Sequence, residues 1–206
     1  MFTIIEDCSP YYIRFTHPGI EKVIELCKTQ NFDIDRPATS FGITRSNEFI
    51  PSNLSDEFAK ELFTHIPMSE QFFFNYASFF ISKPGCKFHI HKDGKATTFG
   101  FNYSIQILDE SCKTNFYSDD IVNHHKYIED TNSEGKTSRS VVVCGEPPIP
   151  EKTAVFKPNE CILFNAGIFH NWDNSESQNI RVMLVLRALD SIHLSFDDAK
   201  KMFFGI

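Results

Sequence analysis

The sequence predicts a mainly β protein, a sandwich or jelly roll with helices flanking the strands. Three observations carry that expectation. Eight short β-prone runs follow one another between residues 72 and 189, punctuated by Gly, Pro, Asn and Asp. Apolar residues at helical spacing occur only before that stretch and after it, so the alternation of strands and helices that builds a parallel sheet is missing. The 206 residues include 22 phenylalanines, enough aromatic volume for a thick interior. The chain is too short for two domains of ordinary size.

Taken in order, Gly19 precedes Ile20, Val23, Ile24 and Cys27, whose spacing predicts an amphipathic helix over 19–29. Residues 30–53 hold prolines, Asn and Ser without a clear period and read as a long connection. Ser55, followed by Asp56 and Glu57, is a helix start, and Phe58, Leu62, Phe63 and Ile66 form its apolar stripe. The β-prone runs are 72–82, 88–91, 98–108, 114–118, 140–144, 153–156, 161–165 and 180–189. Residues 119–139 read as a polar insertion between strands, and Ser195, Phe196, Ala199, Met202 and Phe203 predict a short closing helix. The expected organisation is a single domain over 1–206. Residues 1–70 supply helical support and a first strand, 71–190 the β core, and 191–206 the C-terminal helix.

The formal charge of −7 argues against broad attraction to nucleic acid or to an anionic membrane. The first residues lack a basic segment and a long apolar run, and no stretch of about 18 apolar residues offers a membrane span. Six scattered cysteines without a CxxC pair read as reduced core residues. Together these features predict a soluble, cytoplasmic protein.

The chemistry lies in His91-Lys92-Asp93, with His170 following 77 residues after the first histidine and Arg181 eleven residues later still. Two imidazoles and one carboxylate can hold one face of a ferrous ion and leave the opposite positions free. His-x-Asp alone is a weak signal, and its weight comes from context. The triplet ends a β-prone run at Gly94, where a turn can swing the carboxylate toward the ion held by the histidine. Residues 180–187 read as a core strand with Arg181 near its start. An unpaired buried arginine is costly, so this one calls for a carboxylate partner that its planar fork can grip.

The pattern His91-x-Asp93-Gly94, the run Phe99 to Ile105, and His170 with Arg181 resemble the 2-oxoglutarate/Fe(II)-dependent dioxygenase superfamily over roughly residues 75–190. Similarity is greatest to small single-domain aspartyl/asparaginyl-hydroxylase-like and prolyl-hydroxylase-like members. Asp93 departs from the aspartyl β-hydroxylases proper, which lack that carboxylate ligand. The resemblance implies a double-stranded β-helix, the cupin-like jelly roll. It implies His91, Asp93 and His170 as iron ligands and Arg181 as partner of the distal carboxylate of 2-oxoglutarate. The implied reaction uses O2 to hydroxylate a C–H bond of a peptide side chain or small metabolite, releasing succinate and CO2.

Other residues carry competing readings. His89 shares a strand face with His91 and is the alternative ligand. Arg187, on the same face as Arg181, reads as a surface salt bridge. Asn102 and Ser104 share one side of their strand and read either as polar pocket wall touching 2-oxoglutarate or as a solvent-facing side. Phe88, Phe101 and Phe169 are expected to keep the site dry, and Trp172 either shelters it or merely packs. His124 and His125 read as a solvated loop pair, and 30–53 and 119–139 as lids. Two other functions fit the same pattern: a metal-dependent cupin enzyme without 2-oxoglutarate, and a jelly-roll binding or structural module.

Overall fold

In a computed structural model of the chain, residues 1–30, 49–53, 56–67, 76–93, 98–107, 110–131, 137–187 and 194–206 are described. They begin with β1 (Thr3–Cys8), β2 (Tyr12–Thr16), α1 (Ile20–Lys28), β3 (Phe49–Asn53) and α2 (Asp56–Thr64). Next come β4 (Tyr76–Ser82), β5 (Cys86–Lys87), β6 (Ile90–Lys92), β7 (Phe99–Gln106) and β8 (Lys113–Tyr117). The chain continues through α3 (Ile121–His124), β9 (Lys126–Thr131), β10 (Thr137–Val142) and β11 (Lys152–Val155). It closes with β12 (Cys161–Asn165), β13 (Phe169–Asn174), β14 (Arg181–Arg187) and α4 (Phe196–Phe204).

The strands pair into two antiparallel sheets that form a cupin-like jelly roll. The first runs β1-β2-β12-β7-β14-β4-β3, and the second β11-β8-β13-β6-β10-β9 with β5 beside β13. Side chains alternate between faces along each strand, and β14 shows what this does to the core. Val182, Leu184 and Leu186 point away from the second sheet, into a cluster with Ile20, Val23 and Ile24 of α1, Leu62 of α2 and Phe203 of α4. Met183 and Val185 point the other way and pack with Phe116, Ile162 and Phe164 between the sheets. A third cluster of Ile90, Tyr117, Val141 and Phe169 lies under α3 on the outside of the second sheet. The many phenylalanines therefore serve three layers.

Helical spacing on α1 and α4 produces the buried stripes that cover the first sheet. Ser195 accepts from the Asp198 amide while Asp198 accepts from the Ser195 amide, a capping box that fixes where α4 starts. Gly19 permits a close approach: a Cβ there would stand 2.0 Å from the His65 carbonyl oxygen, just past the end of α2.

Several local expectations are corrected. Residues 3–16 form a hairpin in the first sheet, and 49–53 form its far edge. The insertion contains α3 and most of a β9–β10 hairpin. Residues 169–174, outside the β-prone runs read from the sequence, form β13 at the middle of the second sheet. The Ser55 cap, the start of the 72–82 run, the turn at 94–97 and the centre of the insertion lie outside the described residues. Among the described residues no helix is long and apolar enough to cross a membrane.

Candidate metal centre

Register brings the candidate ligands together. His170 of β13 pairs directly with His91 of β6, so both rings leave the same face of the second sheet. That face is also the Phe116 face, because His170 pairs with Phe116 of β8 on its other side. Asp93 follows the last residue of β6, and its amide donates to the Ala166 carbonyl at 3.1 Å. One ligand atom from each of His91, Asp93 and His170 lies within 4.8 Å of the others, so the three could hold one metal ion.

The imidazoles are turned for that task. Nδ1 of His91 lies 3.0 Å from the His89 carbonyl oxygen, and Nδ1 of His170 lies 2.8 Å from that of Ile168. A carbonyl can only accept, so each Nδ1 carries the proton and each Nε2 keeps its lone pair. Burial, then the neighbouring His170, pushes the His91 pKa down to about 4, and burial lowers that of His170. Both rings are therefore neutral near pH 7. Burial alone would raise the Asp93 pKa, but Arg187 and the two histidines outweigh it and hold the carboxyl below its ordinary value.

Arg187 is the main departure from the sequence reading. Its Nη1 donates to Asp93 Oδ2 at 2.5 Å, with only 14% of its side chain exposed. The salt bridge is thus an interior one, attached to a candidate ligand. Phe101 and Phe169 are likewise displaced, since they belong to the helix-facing and α3-facing clusters. The aromatic rings beside the histidines are Phe164, 5.5 Å from His170, Phe88, 5.0 Å from His91, and Phe116, 6.3 Å from His170. His89 lies in the break between β5 and β6 and is outside the three-residue group.

Arg181 sits on the inner face of β14, 3% exposed. Its guanidinium lies over Phe156 at 4.6 Å and donates to the Thr114 hydroxyl at 3.3 Å and the Lys113 carbonyl at 3.4 Å. No carboxylate pairs with it among the described residues, and burial brings its pKa down to about 10. Thr114 pairs with Trp172, one same-face step along from the Phe116–His170 pair. That step is about 7 Å. Asn102 pairs with Val185 and Ser104 with Met183, so both stand on the inner face between the two arginines. Asn102 Oδ1, Ser104 Oγ and Arg181 Nε are buried without a hydrogen-bond partner among the described residues. Well-folded interiors leave few such atoms unsatisfied.

Sequence reasoning missed the placing of Arg187, although period-two alternation from Arg181 already put both arginines on one face. It also missed how β13 is held. Asn171 Oδ1 accepts from Asn115 and Tyr117, and its Nδ2 donates to the Phe88 carbonyl.

No family model and no curated protein matches the chain. Among solved structures it is similar to the epimerase SnoN in complex with Fe3+, alpha ketoglutarate and nogalamycin RO. That match has 13% identity over 87% of this chain and 78% of the other, with a TM-score of 0.52. It is also similar to vicilin from hazelnut, Corylus avellana, at 10% identity and a TM-score of 0.39. There it covers 75% of this chain and 31% of that one, so the chain spans less than a third of vicilin. At this identity the likeness to SnoN is one of fold, and it agrees with the two-sheet jelly roll built from the strand pairings.

Proposed function

We propose that the protein is an Fe(II)- and 2-oxoglutarate-dependent oxygenase acting on a C–H bond of a peptide side chain or small metabolite. One observation carries the reading: the His91, Asp93 and His170 donors share an interior with a buried guanidinium, Arg181, that has no carboxylate partner among the described residues. Two neutral imidazole nitrogens and one carboxylate oxygen suit ferrous iron and leave coordination positions open. The buried, unpartnered Arg181 Nε and Ser104 Oγ can both donate and suit an anionic co-substrate. A short dicarboxylate matches the step of about 7 Å between the Thr114 and His170 levels. SnoN, described as an epimerase with iron and alpha ketoglutarate, fits the same interpretation.

In this reading His91, Asp93 and His170 hold the iron and Arg181 grips the distal carboxylate of 2-oxoglutarate. The Ser104 hydroxyl donates to the co-substrate, and Asn102 presents its amide to it. Phe88, Phe116 and Phe164 keep water from the ligand side. Iron, 2-oxoglutarate and O2 together supply the oxidising power that breaks the C–H bond; the protein supplies geometry and a dry interior.

The test is an anaerobic absorbance titration of Fe(II) into the apoprotein with and without 2-oxoglutarate. A visible charge-transfer band that needs both additions and disappears in Asp93→Ala supports the assignment. Iron binding without a 2-oxoglutarate-dependent band would instead favour a metal cupin enzyme. Absence of metal binding by folded protein would favour a binding module.

A further inference from the structure

We infer that Arg187 is a positioning residue that presets Asp93 as a one-oxygen metal ligand; the inference rests on the metal-binding reading above. Asp93 lies beyond the last residue of β6, so the strand ladder does not orient its side chain. Arg187 does so by donating Nη1 to Oδ2 at 2.5 Å. The other oxygen, Oδ1, is left 3.6 Å from His91 Nε2, on the side where the imidazole lone pairs converge. A carboxylate free to rotate can offer either oxygen or both; one held by a guanidinium offers a single defined oxygen.

Arg187 is itself held in place. Its guanidinium carbon lies 4.8 Å from the centre of the Phe164 ring, and that ring packs 5.5 Å from His170. Gly100, the β7 partner of Arg187, leaves the necessary room. A Cβ on Gly100 would stand 2.9 Å from a Phe164 ring carbon and 3.5 Å from Arg187 Cγ. Arginine, phenylalanine and glycine thus form a brace from β14 across to the ligand.

Two effects of the guanidinium on a divalent ion oppose each other. Its charge repels the ion and draws on the carboxylate, whereas its hydrogen bond supplies an ordered ligand in advance. The two roles predict opposite results when it is removed. If Arg187 were only a counter-ion, its loss would release Asp93 and tighten metal binding. As a positioning residue, its loss weakens binding by about 10- to 100-fold, the usual effect of removing a group that orients a metal ligand.

The experiment titrates Co(II) into wild type, Arg187→Met, Arg187→Lys and Gly100→Ala, reading the visible d–d bands, with circular dichroism to establish folding. Arg187→Met should bind about 10- to 100-fold more weakly with altered band energies or intensities. Arg187→Lys should recover part of the affinity, because its ammonium keeps the charge and can still donate to Asp93. Gly100→Ala, which keeps the charge but displaces the brace, should change the bands in the same sense, and it carries the test if Arg187→Met does not fold. Unchanged or tighter Co(II) binding with wild-type bands in the folded variants overturns the inference. Failure of wild type to bind Co(II) overturns the metal reading itself, which separates the two outcomes.

Discussion

Replacing Arg181 with methionine removes a buried cation while keeping a linear side chain over Phe156. The fall of the Arg181 pKa from 12.5 to about 10, caused by burial, corresponds to about 3 kcal/mol against the charged form. Against that stand its hydrogen bonds to the Thr114 hydroxyl and the Lys113 carbonyl, each contributing about 1 kcal/mol. Contact between the methionine sulfur and the Phe156 ring replaces part of the cation–π attraction. The balance favours ligand-free Arg181→Met by about 1–2 kcal/mol, a rise in Tm of about 2–8 °C for a chain of this size. Ligands should reverse the ranking. Under the proposed function, 2-oxoglutarate at about 100 times its Kd should stabilise metal-loaded wild type by about 2.7 kcal/mol, and the variant should gain nothing comparable. The assay is thermal and urea unfolding under anaerobic conditions, with and without Fe(II) and 2-oxoglutarate. A variant less stable than wild type before any ligand is added would show that the guanidinium serves the fold. A variant that keeps the full 2-oxoglutarate shift would show that the co-substrate lies elsewhere.

Two further outcomes follow from the same geometry. Asp93→Ala and His170→Ala should each lose Fe(II) binding and turnover together, measured by metal content and succinate release, whereas Arg181→Met should keep metal affinity within a few-fold. The second concerns His17, which is 3% exposed and whose Nε2 lies 3.0 Å from the Tyr103 hydroxyl. Burial pushes its pKa down to about 4 from 6.5. The unfolded chain therefore takes the proton first as pH falls: the stability is fully present above pH 6.5, is lost between 6.5 and about 4, and is level below. His17→Gln should remove up to about 3 kcal/mol of that pH dependence in urea titrations; an unchanged profile would place the titration in other histidines.

The legible parts of this fold were those where one residue type has one reason to be where it is. The stripe Ile20, Val23, Ile24 and Cys27 specified α1, and the strand at 161–165 was read to the residue because both of its faces are apolar. β13 was hidden because its sequence, Phe-His-Asn-Trp-Asp-Asn, suits a loop. Asn174 illustrates why the structure accepts it: its side-chain amide donates to the carbonyls of Lys83 and Asn179 while its oxygen accepts from Cys112 Sγ. Lys83 and Cys112 lie far away in sequence, so no local pattern announces them. The candidate ligands were legible through spacing. Arg187 was not, because whether a strand-end arginine meets solvent or a carboxylate depends on what the opposite sheet brings to it.

The charge of the site follows from these placements, and under the proposed function it should couple the metal to 2-oxoglutarate. Near pH 7 His91 and His170 are neutral, Asp93 is ionised, and Arg181 and Arg187 are cations, so these five residues carry one excess positive charge. A divalent ion alone raises the excess to three, in a region where charge is poorly screened. A dianionic co-substrate returns it to one. Under the proposed function each ligand should therefore improve the site for the other, and linkage requires the same factor in both directions, typically about 5- to 150-fold. Calorimetric titration of 2-oxoglutarate with and without Mn(II), and of Mn(II) with and without 2-oxoglutarate, measures that factor twice. Arg181→Met, with one cation fewer, should bind the ion alone slightly more readily and show a smaller factor. Co-substrate binding that ignores the metal would break this charge argument, whatever the ion does at His91, Asp93 and His170.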